Sequence, residues 1–233
     1  MDRYDRHRSL LTDEAWNRLC ETTCVVAGVG GLGSTVVCLL ARLAPLRLEL
    51  WDPGIVDPPD LNRQLLFDSG DLGSAKVAVA KRRALQINPD VVTEGHSRAL
   101  DADSFLVPPS SGPCVLFDCV DTVSARCEFE EIRQRRRVPI FHGAVQEWWG
   151  QVATLLPDGP GYTAVYGADM SSVPAGELSG RPIMPHVVTM VASAQVSQFV
   201  RYLEGEAIAS PAICYIDGKA LSTTHIGLGE VPV

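Results

Sequence analysis

Along the chain the first strong alternation between apolar and polar stretches is an apolar run from Thr23, then glycines at 28, 30, 31 and 33, then a second apolar stretch from Val36 to Leu43. A short β-rich run, a glycine-rich turn and a helical pattern in that order predict the opening of a Rossmann-like βαβ unit. Upstream, Thr12 or Asp13 is placed to cap a short helix through about Cys20, with Glu14 near its positive end. Downstream, Leu46 to Trp51 reads as a second strand ending in Asp52, and Lys76 opens a helix to about Ile87 that Asn88-Pro89 stops. Val91 to His96 reads as a third strand, Ala102 to Leu106 as a short helix, the PPSSGP run as a linker, and Cys114 to Phe117 as a fourth strand followed by a helix through Arg136. A broadly apolar helix spans about His186 to Leu203, and two short strand-like runs, Ile213 to Asp217 and Ala220 to Ile226, precede a GLGEVPV tail.

The expected class is therefore α/β: a Rossmann-like, mostly parallel sheet flanked by helices, with additional antiparallel strands toward the C-terminus. The expected organisation is an N-terminal arm and helix over 1–22, a nucleotide-binding region over 23–156, a mobile crossover loop over 157–185 where Pro and Gly crowd, and 186–233 completing the same domain.

Composition sharpens this picture in a few places. With 233 residues, 46% of them hydrophobic, the chain has ample material for one sizeable core. No apolar run reaches the roughly 18 to 20 residues of a membrane span, and the N-terminus lacks an apolar signal core, so a cytoplasmic protein is expected. A net charge of −8 argues against an extended nucleic-acid surface; Arg133 to Arg137 reads as a solvated helix end. The seven cysteines form no CxxC pair, so no zinc site is expected, and reduced thiols suit a reducing compartment.

The glycine turn carries the candidate chemistry. Without Cβ the backbone at Gly28, Gly30, Gly31 and Gly33 can approach a phosphate, and the N–H groups and dipole of the helix start favour its charge; such turns also occur where a strand and helix merely pack closely. Asp52, twenty-four residues beyond Gly28, stands where a Rossmann unit holds ribose hydroxyls. A dehydrogenase fits equally well up to this point. It does not account for Arg63 and Lys76, thirteen residues apart at the nucleotide edge, which two cations converging on a triphosphate would explain. Asp118 and Asp121, at the carboxyl end of the fourth strand, suggest a Mg²⁺ site, since that ion takes one or two carboxylates plus phosphate oxygens. Equally, Asp118 reads as a polar strand end and Asp121 as a helix N-cap.

Taken in order, Arg3-Tyr4-Asp5-Arg6, GVGGLGS, Asp52, LNRQ at 61–64, GxxK ending in Lys76, Asn88-Pro89, DCVD at 118–121, Arg126 and Gly150-Gln151-Val152 resemble the family of ThiF, MoeB and HesA, the bacterial relatives of ubiquitin-activating enzymes. The resemblance implies an enzyme that binds ATP and Mg²⁺ and adenylates the C-terminal glycine of a small ubiquitin-like sulfur-carrier protein ending in Gly-Gly, releasing pyrophosphate. It implies ATP-binding roles for Gly28, Gly30, Gly31, Gly33, Asp52, Asn62, Arg63, Gln64, Lys76, Asp121 and Thr122, with Asp121 toward Mg²⁺. Arg63, Lys76 and Asp121 would be catalytic, as would Arg6, reaching across a homodimer.

The chain also departs from the pattern. Pro59 and Asp60 stand where relatives often carry Ser-Asn, and Thr122 replaces the usual Asn; Asp60 would add unfavourable negative charge unless metal-bound or turned away. The stretch 157–185 carries Tyr162-Thr163-Ala164 where relatives place a cysteine, which implies adenylation without a covalent step there. Cys214 sits in an apolar strand pattern and reads as core, while Trp148 and Trp149 read either as a groove for a carrier tail or as buried. A member acting on a peptide or tRNA, resembling threonylcarbamoyladenosine dehydratase, and a non-catalytic ATP-binding relative are the alternative readings.

Overall fold

The computed structural model describes residues 2–44, 46–105, 112–167, 182–206 and 212–227. Its elements run α1 (Asp13–Glu21), β1 (Thr23–Ala27), α2 (Gly31–Leu43), β2 (Arg47–Trp51), α3 (Lys76–Ile87), β3 (Val92–His96), β4 (Cys114–Asp118), α4 (Val123–Arg136), β5 (Ile140–Gln146), β6 (Trp149–Leu155), α5 (Tyr162–Tyr166), α6 (Pro185–Leu203), β7 (Ala212–Asp217) and β8 (Ser222–Gly227). The strands form one eight-stranded sheet in the order β3-β2-β1-β4-β5-β6-β7-β8. Pairing is parallel from β3 through β5 and antiparallel from β5 through β8. Strand order reverses between β1 and β4, and in open α/β sheets the crevice at the carboxyl ends of such a pair is where ligands bind.

Alternate strand positions feed two layers, as the period of two requires. Cys24, Val26, Leu48, Leu50, Val115, Phe117 and Phe141 pack under α1, α2, α3 and α6. Val25, Ala27, Trp51, Leu116, Ile140 and Ala153 pack under α4 and α5. The helices start where local chemistry dictates. Thr12 Oγ1 accepts from the Ala15 amide at 3.2 Å to open α1, and Pro185, whose missing N–H costs nothing in a first turn, opens α6.

Five features depart from the sequence reading. The β5–β6 hairpin has no clear apolar alternation because part of its packing uses absence of side chain: a Cβ at Gly143 would lie 2.5 Å from the Gln195 amide carbon. Gln195, on the expected apolar face of α6, is fully buried and donates to the carbonyls of Asp118 and Phe141, both at 2.9 Å, tying β4 to β5. Gln195→Leu would remove both of these bonds, and a loss of about 2 kcal/mol in urea unfolding is expected, from the usual cost of lost buried hydrogen bonds; a change under about 0.5 kcal/mol would show that the tie is dispensable.

Within the stretch expected to be a loop, Tyr162–Tyr166 is helical and Tyr162 is fully buried, while 168–181 lies outside the described residues. Arg133, expected to be solvated, is buried and donates to the carbonyls of Leu156 (2.6 Å), Pro157 (3.1 Å) and Gly159 (3.0 Å), fixing the turn before α5. Residues 102–104 form turns instead of the expected helix. Among the described residues no helix is long and apolar enough to cross a membrane.

Candidate active site

The glycine turn divides into two halves with different duties. Gly28 has φ +84°, and a Cβ there would meet the Cys119 carbonyl at 2.7 Å; a Cβ at Gly33 would meet the Gly28 carbonyl at 1.9 Å. These two glycines shape the turn and close α2 against the strand ends. Gly30 and Gly31 start α2 with neither a side-chain cap nor an acid in the first turn. The first amides of a helix have no intrahelical partner, so this end attracts an anion.

Asp52 closes the turn from β2. Its Oδ2 accepts from the Val29 amide and its Oδ1 from the Gly54 amide, both at 2.7 Å. Each oxygen keeps a free lone pair toward a ribose hydroxyl, so the carboxylate can hold the turn and a sugar together.

Arg63 and Lys76 come together, and Asp60 is what gathers them. Lys76 Nζ lies 3.0 Å from Asp60 Oδ2, and Arg63 Nη2 lies 3.8 Å from Asp60 Oδ1. Gln64 Nε2 donates to the same carboxylate, and the Asp57 amide adds a bond at 3.1 Å. The stem of Arg63 passes beside Gly31, 3.6 Å from where a Cβ would stand, and the stem of Lys76 passes 3.5 Å from the same point on Gly54. Arg63 is held from behind through Nη1 by the Pro59 carbonyl (2.8 Å) and Asn62 Oδ1 (3.0 Å). Asp60, expected to point away or take a metal, instead pins both cations at the turn, and two cations on one carboxylate leave a formal positive charge there. Gln64 Oε1 is buried without a partner among the described residues, and a Cβ at Gly30 would lie 3.7 Å from its amide nitrogen.

The end of β4 holds a charged cluster that sequence patterning did not assemble. Asp118 is fully buried. Its Oδ2 accepts from Arg126 Nε (3.1 Å), His142 Nδ1 (2.7 Å) and the Tyr162 hydroxyl (2.7 Å), while Oδ1 accepts from the Val120 amide at 3.2 Å. Arg126 also donates through Nη2 to the Val120 carbonyl at 2.8 Å, which fixes the bend leading to Asp121. Burial by itself would push the Asp118 carboxyl up; the Arg126 guanidinium and the bonds from His142 and Tyr162 outweigh it and hold the group down at about 2. An acid ending a strand, with an arginine eight residues on in the next helix, was the visible part of this cluster; a histidine in an apolar strand was the part left unread.

A model of the ThiF family matches residues 4–226. The chain belongs to the ThiF family. Over 222 residues it is 28% identical to the SAMP-activating enzyme E1 of Haloferax volcanii, covering 92% of this chain and 81% of that one. It is 26% identical over 231 residues to the sulfur carrier protein ThiS adenylyltransferase of Escherichia coli, covering 97% and 90% of the two chains. The fold is also that of E. coli MccB crystallised with ATP, with a TM-score of 0.80 at 18% identity over all of this chain and 73% of that one.

Against the ThiF pattern, the remaining site residues fall in two groups. Asp121 is exposed beyond the bend, and Thr122, not Asp121, is the N-cap of α4, without a side-chain bond. Asp118 is consumed by its buried partners and does not face solvent with Asp121. In the N-terminal arm, Arg3 donates to the Ile87 carbonyl (3.1 Å) and Asn88 Oδ1 (2.9 Å), and Arg8 pairs with Asp13, so neither is directed at the turn. Arg6 is exposed and bonds to no described residue.

Cys214 packs in the core, its thiol pushed up by burial. Trp149 is exposed, and Trp148 stacks edgewise on His186 under the Lys219 ammonium.

Proposed function

We propose that this ThiF-family chain is an adenylyltransferase that uses ATP and Mg²⁺ to activate the C-terminal glycine of a small ubiquitin-like sulfur carrier. The observation that carries the reading is the convergence of Arg63 and Lys76 on Asp60, beside the uncapped start of α2. The names of the relatives, a SAMP-activating E1 and a ThiS adenylyltransferase, support the class of reaction and of substrate.

The chemistry asks for fixed positive charge. A carboxylate attacks the α-phosphorus, an acyl–oxygen–phosphorus link forms, the bond to the β-phosphate oxygen breaks, and pyrophosphate leaves. Both reactants are anionic and negative charge gathers on the departing group, so preorganised cations contribute more than any protein nucleophile. In this reading the amides at Gly30 and Gly31 hold phosphate oxygens, Arg63 and Lys76 swing part of their charge from Asp60 to the triphosphate, and Asp52 and Gln64 Oε1 accept from the nucleoside. The fit to Mg²⁺ rests on Asp121: a single exposed carboxylate beside a phosphate site is what that ion takes in such enzymes. Bound there, the ion would neutralise phosphate charge. Arg6, exposed and bonded to none of the described residues, would complete the site of a partner subunit in a homodimer.

Carrier-dependent exchange of labelled pyrophosphate into ATP tests the reading, with candidate carriers of under about a hundred residues that end in Gly-Gly. Exchange that requires both the carrier and its terminal glycine is expected. ATP turnover only with tRNA or a peptide would reassign the substrate, and ATP binding without any exchange would make the chain a non-catalytic relative.

A further inference from the structure

His142 is a buried base that adenylation does not use. Its Nδ1 faces Asp118 Oδ2 at 2.7 Å, and its Nε2 faces the Tyr166 hydroxyl at 2.9 Å and Gln151 Nε2 at 3.3 Å. A carboxylate at this depth only accepts, so the Nδ1 side carries the proton and Nε2 accepts. Among the described residues Nε2 meets donors, the Tyr166 hydroxyl and the Gln151 amide, so the imidazole is satisfied in one tautomer. Asp118, His142 and Tyr162 are fully buried, whereas Tyr166, half-buried, is the outermost member of the array. Arg126, 5.2 Å over the Tyr166 ring, binds Asp118 and the Val120 carbonyl, which joins the array to the bend carrying Asp121.

Arg126, His142 and Tyr162 all hold Asp118 at the strand end, and that lock makes no use of Tyr166. Tyr166 extends it outward through His142 in the order hydroxyl, imidazole, carboxylate, an arrangement that moves protons in enzymes of unrelated fold. We propose that Tyr166, His142 and Asp118 form a proton relay that deprotonates an external thiol as it attacks the acyl-adenylate. The inference rests on the adenylation reading and adds the step that follows it. The thiol sulfur bonds to the acyl carbon, the carbon–oxygen bond to AMP breaks, and AMP leaves as the phosphate anion. The thiol proton passes to Tyr166 Oη while the phenolic proton moves to His142 Nε2, and the resulting imidazolium is held by Asp118. No electron changes hands.

The groups packed around the imidazole suit it to this task. Burial pushes the His142 pKa down, Asp118 lifts it, and Arg126 on α4 lowers it again, so the ring is an unprotonated base at neutral pH. Gln151 on β6 and the two α5 tyrosines add no charge, since burial holds both phenols protonated, Tyr166 up at about 12. A thiol at an ordinary pKa of about 8.5 is near enough to imidazole to lose its proton on attack, and an alcohol is not. Cys119, next to Asp118, is no substitute nucleophile, because burial and the Asp118 charge push its thiol well up.

Tyr166→Phe and His142→Asn test the relay, with a Gly-Gly carrier as acyl donor and dithiothreitol as the thiol probe. In Tyr166→Phe, carrier-dependent pyrophosphate exchange should stay within about twofold, while dithiothreitol-dependent AMP release falls about a hundredfold, the usual size of a general-base contribution. Its pH profile should lose the acidic limb that His142 gives the parent. Release and exchange changed alike, or neither changed, would overturn the relay. Nitrogen-15 spectra of the intact protein give a second reading: His142 in the Nδ1–H tautomer supports the relay, and an Nε2–H tautomer overturns it even if His142→Asn fails to fold. Absence of exchange in the parent would instead overturn the adenylation reading, which the spectra do not touch.

Discussion

Lys76→Ala and Arg63→Ala should each lower carrier-dependent pyrophosphate exchange by about 10²- to 10³-fold, the typical loss when one preorganised charge is taken from a developing anion. Stability should change far less. Asp60 keeps its bonds from Gln64 and the Asp57 amide in either variant, and each variant leaves it one of its two cations. A loss of about 1 kcal/mol in urea unfolding is expected for such a partly satisfied pair. The two effects separate phosphate stabilisation from scaffolding, because a group that merely holds the turn would move activity and stability together. Exchange rates in both variants equal to the parent's would remove the phosphate role and with it the support for a triphosphate at this turn.

Arg126→Met should be the most destabilising of the substitutions discussed, by about 3–5 kcal/mol, since it strips the counter-ion from a buried carboxylate. For a chain of this length that corresponds to a fall in Tm of roughly 6–20 °C. The pH dependence provides the sign. In the parent, Asp118 at about 2 lies below its ordinary 3.8, so the unfolded chain binds the proton first on acidification. That contribution, about 2 kcal/mol, is present above pH 4 and is lost between about pH 4 and 2. Without Arg126, burial dominates and the folded carboxyl rises above its unfolded value, so its effect reverses: stability is then greatest below about pH 4 and declines as pH rises. The deficit of Arg126→Met against the parent should therefore shrink as pH drops from 7 to 4. The double variant Asp118→Asn with Arg126→Met should recover part of the loss. A deficit under about 1 kcal/mol at pH 7, or one that grows on acidification, would show that the pair is not what holds the strand end.

How far the candidate site was readable differs residue by residue. Gly28 to Gly33, Asp52, Arg63 and Lys76 were legible because each belongs to a short run whose spacing along the chain already implies a shared location. Asp60 was read as an obstacle because a lone acid beside a phosphate site is unfavourable on paper; in three dimensions its charge is already matched by Arg63 and Lys76. Asp118 was placed at the right strand end without its partners, since His142 and Tyr162 lie far along the chain while the nearest acid in sequence, Asp121, stands exposed beyond the bend.

What the order of residues settled alone was the ThiF frame: strand, glycine turn and helix, with cations set at its edge, because each of these is a local pattern whose physics is complete within a few residues. Tertiary structure decided the rest. Gly143 next to Gln195, Arg133 against the carbonyls of 156–159, and Tyr166 on His142 on Asp118 are contacts between segments separated by up to about fifty residues, and no local propensity carries that information. A polar side chain looks unexplained in sequence until the partner that satisfies it is brought alongside by the packing of α4, α5 and α6 on the sheet.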